Sequence, residues 1–301
     1  MALTDTMGNT ELATFIPELW SDEIVAAYKS NLVLANVVTG FNHQGRKGDV
    51  IHIPKPLRGS ASAKAEATLV TPIVDVALTV DINIDKHYEY SRLIESIAEI
   101  QGLSSIRTFY SDDAGHALAV QVDTDLWTRT RILQGGTDDA TWDAAVIGSD
   151  GSTPYVGTNE AALTDPGIRE MVQTLDDANI PQRDRVIVIP PVSKNTLLGL
   201  PRFTEQAFVG EVGMANSIRN GRLGNIYGMD VYVSTQSPTA TGAARIGVMM
   251  HKSAIALVTQ LDIRVQTQFK QEYLADLLTA DTVYGVGLLR DDAGIAFAVV
   301  A

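Results

Sequence analysis

Hydrophobic and polar positions follow two periods along this chain, and the changes of period mark its elements. From Val76 to Asp85 the period is two. Val76, Leu78, Val80, Ile82 and Ile84 interleave with Ala77, Thr79, Asp81, Asn83 and Asp85, which predicts a strand with one apolar and one wet face. Asp49 to Pro54 reads as its partner, ended by Pro54 and Pro56, and the residues between, Arg58 to Ala67, are small and polar like a soft tip. The stretch from Gly45 to about Tyr90 therefore predicts a long two-stranded arm reaching roughly 30 Å. A lone hairpin is marginal in water and cannot bury its apolar face by itself, so the arm implies a partner surface, such as a neighbouring subunit.

The period then changes to that of a helix. Ile106, Tyr110, Ala114, Leu118, Val122 and Leu126 lie four apart, which predicts one rod from a cap at Ser104 or Ser105 to the stop at Gly135-Gly136. Its length is roughly 45 Å. Asp112, Asp113, Asp123 and Asp125 are expected to form its wet face. Upstream, Pro17 opens a shorter helix carrying Trp20, preceded by an extended arm carrying Phe15; both aromatics need something to pack against. Downstream, Asp165 as cap, Pro166 in the first turn and the stripe Ile168, Met171, Val172 and Leu175 predict a second helix that Pro181 cannot continue. Val186–Ile189 is a short buried strand, Ser193 a cap for a short helix, and 201–228 irregular. Met229–Ser234, Arg245–Met250 and Leu257–Phe269 read as strands. Asp281–Arg290 and Gly294–Ala301 read as a closing hairpin whose apolar end is pinned in a sheet.

Composition narrows what such a chain can be. With 301 residues and 45% hydrophobic content it exceeds what one core usually serves. No apolar run is long enough to span a bilayer, and the first residues lack the basic and apolar parts of a secretory signal. Zero cysteines exclude disulfide scaffolds, thiol catalysis and iron–sulfur clusters. The net charge of −13 excludes gripping nucleic acid by counterion release, though not living beside it.

Catalytic constellations are missing. His43, His52, His87, His116 and His251 share no metal-ligand spacing with a third candidate, so no metal is expected. Asp112-Asp113 and Asp123/Asp125 are one or two residues apart on a helix and do not face each other. Gly285-Val286-Gly287 lacks the third glycine and the following helix of a dinucleotide site. No phosphate loop or nucleophile elbow occurs. No cofactor is expected, and the protein is not read as an enzyme.

The order of elements resembles the major capsid proteins of tailed bacteriophages, the HK97-type fold. Three stretches carry the resemblance: Phe15–Trp20 together with Gly45–Pro54, Asn225–Ser234, and His251–Val258. The resemblance implies an α+β fold in five segments: an N-terminal arm (1–44), an extended hairpin loop (45–90), a peripheral domain with a spine helix (91–145), an axial domain (146–258) and return strands to the peripheral domain (259–301). It implies hexamers and pentamers closing into an icosahedral shell around double-stranded DNA, assembled in the host cytoplasm. It further implies a separate scaffolding protein, since the chain starts almost at the arm, with a portal and a decoration protein as further partners and no membrane. Intersubunit contacts are expected at Phe15, Trp20, Arg46, Lys55, Leu57, Arg58, Lys64 and Glu66. Three rivals stand beside this reading: an encapsulin-like compartment shell of the same fold, a soluble hydrolase, and a tail or decoration protein.

Overall fold

The computed structural model describes residues 32–44, 47–55, 59, 61–70, 72, 78–95, 106–136, 146–157, 161–200, 224–240, 242 and 244–300. The expected helix after Pro17 and most of the irregular stretch 201–228 lie outside them.

Three sheets organise these residues. The first has four strands in the order β1 (Thr39–Asn42), β9 (Ile255–Lys270), β10 (Ala275–Leu288) and β4 (Lys86–Glu95). β1 runs parallel to β9, and the other pairs are antiparallel. The second has five strands in the order β11 (Gly294–Val299), β8 (Arg245–His251), β5 (Arg185–Ile189), β7 (Met229–Val233) and β6 (Asn225–Ile226). The third is the antiparallel pair of β2 (Val50–Lys55) and β3 (Leu78–Asn83). Pro54 sits inside β2 and does not end it, which a strand with a free edge tolerates.

Helix α1 (Leu34–Val37) precedes β1, and α2 (Ile106–Arg129) is the long rod. The α-helix stops short of the predicted end. From Thr130 it tightens into a 3₁₀ turn, and Leu133 and Gln134 leave helical geometry before Gly135. α2 lies across the four-stranded sheet, where Ala114 and Leu118 meet Ala280 beside Tyr88 and Tyr90. The small side chains at 114 and 280 let helix and sheet approach closely.

The helix α3 (Asp165–Asp177) is capped by Thr164, whose hydroxyl accepts the Gly167 N–H, and not by Asp165 as expected; Asp165 is already the first helical residue. It ends in a left-handed Asn179, with the Ile180 N–H closing onto the Leu175 carbonyl. Ser193 is likewise not a cap. α4 (Pro191–Leu198) starts directly after Pro190, and Ser193 is buried inside it.

The main core surrounds the five-stranded sheet. Ile168, Met171 and Leu175 of α3 and Leu197 of α4 share a cluster with Val188, Val248 and Phe297, joined by Leu126 and Trp127 from the end of α2 and by Leu133 from the turn after it. Each such side chain contributes about 1.5–3 kcal/mol by leaving water. Leu34, Val37, Tyr284 and Val286 belong to the same cluster, so the two large sheets share one core.

The expected closing hairpin does not form. β10 pairs with β9 and β4, whereas β11 crosses to the five-stranded sheet and pairs with β8. A single 3₁₀ turn, Asp291–Ala293, makes the crossing. The last strand is buried throughout, and Ile147 covers its outer edge by donating to the Ala296 carbonyl and accepting from the Ala298 N–H. The sequence pattern showed two apolar strands but not that they separate.

Candidate functional site

Among the described residues no cluster of His, Asp or Glu could hold a metal ion, and no helix is long and apolar enough to cross a membrane. The surfaces with chemistry to offer are those that could meet another chain, and the hairpin arm is foremost.

The arm is two regions in one. At its root Ile82 and Ile84 are buried against Ala256 and Val258 of β9, with Ile51, Ile53 and Phe41 beside them. The partner surface expected for the apolar face is therefore, at the root, the subunit's own body and not a neighbouring subunit. Within the arm itself the Ile84 N–H donates to the Asp49 carbonyl at 2.7 Å and closes the base of the β2–β3 pair. Toward the tip the face becomes exposed. Leu78 is exposed, Val70 is 73% exposed, and Leu69 is 96% exposed. Two neighbouring aliphatic side chains thus stand largely in water at the tip.

Of the expected contact residues, Lys55, Lys64 and Glu66 are described and all are exposed. Lys55 ends β2; Lys64 and Glu66 lie in the tip, where the Thr68 hydroxyl donates to the Ala65 carbonyl at 2.7 Å. Phe15, Trp20, Arg46, Leu57 and Arg58 lie outside the described residues. The structure adds pairings that the sequence reading did not make. His52 and Asp81 pair across the arm at 2.6 Å, and this hydrogen bond holds the Asp81 carboxyl below the usual range. On the body, Arg290 grips Asp292 with two hydrogen bonds of 3.0 and 2.6 Å. That grip lowers the Asp292 carboxyl, with Lys55 of the arm adding a smaller effect in the same direction.

The acidic face of α2 is not wet. Asp113 accepts the Tyr90 hydroxyl at 2.9 Å, and Asp125 accepts the Tyr284 hydroxyl at 2.7 Å. Asp123 is fully buried and accepts the Leu34 N–H at 2.9 Å. Burial pushes its carboxyl up, partly offset by the backbone N–H groups of Leu34, Ala35 and Val33. Only Asp112 of the four is exposed. The other three tie the rod to the sheet on one side and to the N-terminal segment on the other.

A second exposed apolar group lies at the far end of the four-stranded sheet. Leu93, Ile263, Val265, Phe269, Tyr273 and Leu274 are all exposed there. Alternation along β9 was visible in the sequence, but not that its outer half stands clear of the core.

No protein-family model and no curated protein matches this sequence. Solved structures do match it. A chain of Mycobacterium phage Che8 is similar with a TM-score of 0.74 and 23% identity, over 94% of this chain and 97% of that one. A chain from the capsid of cyanophage P-SCSP1u is similar with a TM-score of 0.76 and 18% identity, over 100% of this chain and 97% of that one. A chain from the mature capsid of bacteriophage PhiM1 gives 0.71 and 13% identity, over 94% and 92%. The likeness runs from end to end, and the chain has the mixed α+β fold of these phage capsid chains.

Proposed function

We propose that this protein is the major capsid protein of a tailed bacteriophage. Its subunits close, as hexamers and pentamers, into an icosahedral shell around double-stranded DNA. One observation carries the reading: the fold is shared over the whole chain with a phage capsid chain. The arm of this chain, whose tip leaves Leu69 and Val70 in water, supports it. In this reading the β2–β3 arm is the extended loop that lies over a neighbouring subunit. Its contacts there include Lys55, Lys64 and Glu66, with Arg46, Leu57 and Arg58 in the same segment and Phe15 and Trp20 on the N-terminal arm. Helix α2 is the spine of a peripheral domain built on the four-stranded sheet. The five-stranded sheet is the axial domain, and β11 extends that domain past the boundary at 258 expected from the sequence. Scaffolding, portal and decoration proteins are its expected partners, and the virion its location. The charge of −13 suits a wall that faces packaged DNA without gripping it.

The protein works by assembly and not by turnover. The test is electron microscopy and sedimentation of the purified protein, expressed alone and with the scaffolding protein of its phage. Closed shells, or hexamers and pentamers, are expected. A monodisperse monomer under both conditions overturns the proposal.

A further inference from the structure

We infer that Gly285 and Gly287 of β10 form a seat that fixes the direction of the hairpin arm. The inference rests on the shell-subunit reading only for its consequence in assembly. β3 ends at Asn83, and only Ile84 and Asp85 separate it from β4. At that point the root of the arm lies directly on the main chain of β10. A Cβ at Gly285 would fall on the Asn83 carbonyl oxygen and 3.1 Å from the Ile84 Cα. A Cβ at Gly287 would stand 2.6 Å from Ile82 Cγ1 and 3.0 Å from both its Cδ1 and Cγ2. Val286, between them, is buried in the main core, so β10 cannot shift away to make room. Outward of Ile82 no residue of β3 is buried. The arm is therefore held at its root, and a displacement of the root is carried outward along the paired strands β2 and β3. This also accounts for the Gly-Val-Gly motif: its glycines leave room for a neighbouring main chain and for Ile82.

The two positions differ in what obstructs them, and that difference supplies the test. At 287 the obstacle is one side chain, which Ile82→Ala removes. At 285 it is main chain, which no side-chain change relieves. The protein has no cysteine, so Ala63→Cys in the tip and Asp177→Cys on α3 can carry spin labels without background. The distance between them is read by pulsed electron resonance on the isolated subunit. Gly287→Ala should shift the distance distribution beyond the wild-type width, and Gly287→Ala with Ile82→Ala should bring it back. Gly285→Ala should shift it as well, and Ile82→Ala should not correct that variant. If Gly287→Ala alone does not fold, the double variant must still fold with the wild-type distance. A folded Gly287→Ala with an unchanged distance overturns the inference. So does a double variant that is displaced or unfolded, or a Gly285→Ala that Ile82→Ala corrects. Because distance is read on the subunit, this result stands whether or not shells form. Shell yield of the same variants tests the functional reading separately, and loss of closed shells is expected wherever the distance shifts.

Discussion

Asp123 has no exposed surface, yet it lies in a row of aspartates that periodicity assigns to water. It is buried because α2 is covered on two sides, by the sheet and by the segment 33–38, which returns from far away in sequence. Helical spacing tells which residues share a face, but not how many faces are covered. Removing the acceptor with Asp123→Ala leaves the Leu34 N–H buried and unpaired, at a cost of about 1–3 kcal/mol. The charge itself has a pH signature. Burial raises the folded carboxyl above its ordinary value, so the folded state binds the proton more tightly than the unfolded one. The stabilising contribution is complete below the unfolded value of about 3.9 and is lost as pH rises through the raised folded value. Asp123→Asn keeps an acceptor oxygen and does not titrate. Its stability relative to wild type should therefore rise with pH across that window and level off above it. Urea denaturation at a series of pH values measures this, and a flat or falling difference would show that Asp123 does not carry the shift.

At the scale of elements, α2 is the piece on which the most depends, because it touches β4, β10 and the N-terminal segment together. Ala117→Pro removes a helix hydrogen bond and pushes a ring into the preceding turn, which costs about 3 kcal/mol or more. The variant should accumulate as insoluble subunit. Recovery of soluble protein with wild-type circular dichroism would show that the rod tolerates a break there. This helix and the strand at 78–83 were legible because one period runs through each, and the strands at 50–55 and 185–189 because short apolar runs there meet prolines. Their partners were less so. β4 was missed because its alternation, Tyr88, Tyr90 and Arg92 against Glu89 and Ser91, sets aromatic rings and an arginine against polar residues and gives no apolar stripe. The separation of β10 from β11 was hidden because both are apolar and adjacent, while their partners β9 and β8 are chosen by tertiary packing. Both caps were misplaced by choosing a cap-forming residue near a proline without asking where helical geometry begins: Asp165 is one residue and Ser193 three residues into its helix. The arm was legible as a segment, since the small polar residues at its tip and the one-sided strand mark it. Its seat was not legible, because the glycines that receive the root lie some two hundred residues away.

For the molecule as a whole, burial separates the residues that fold the subunit from those that the proposed assembly leaves for a neighbour. The main core unites the two large sheets with α2, α3 and α4, and the root of the arm adds only the small cluster around Ile82 and Val258. The described tip residues 61–70 are all exposed and contribute no core contact. Deleting Ala61–Val70 therefore removes no packing from the subunit and shortens a loop, a change with a small entropic effect. Circular dichroism and melting should stay close to wild type. Shell yield should fall sharply, because an assembling partner loses Leu69 and Val70 together with Lys64 and Glu66. Charge reversal at Lys64 alone should act in the same direction and more mildly, with a larger effect at low salt where screening is weak. Measuring melting and shell yield on one preparation separates the possibilities. Loss of both places the tip in the fold, and loss of neither makes it idle. Folded subunits that fail to close are the outcome that an arm built for a neighbour requires.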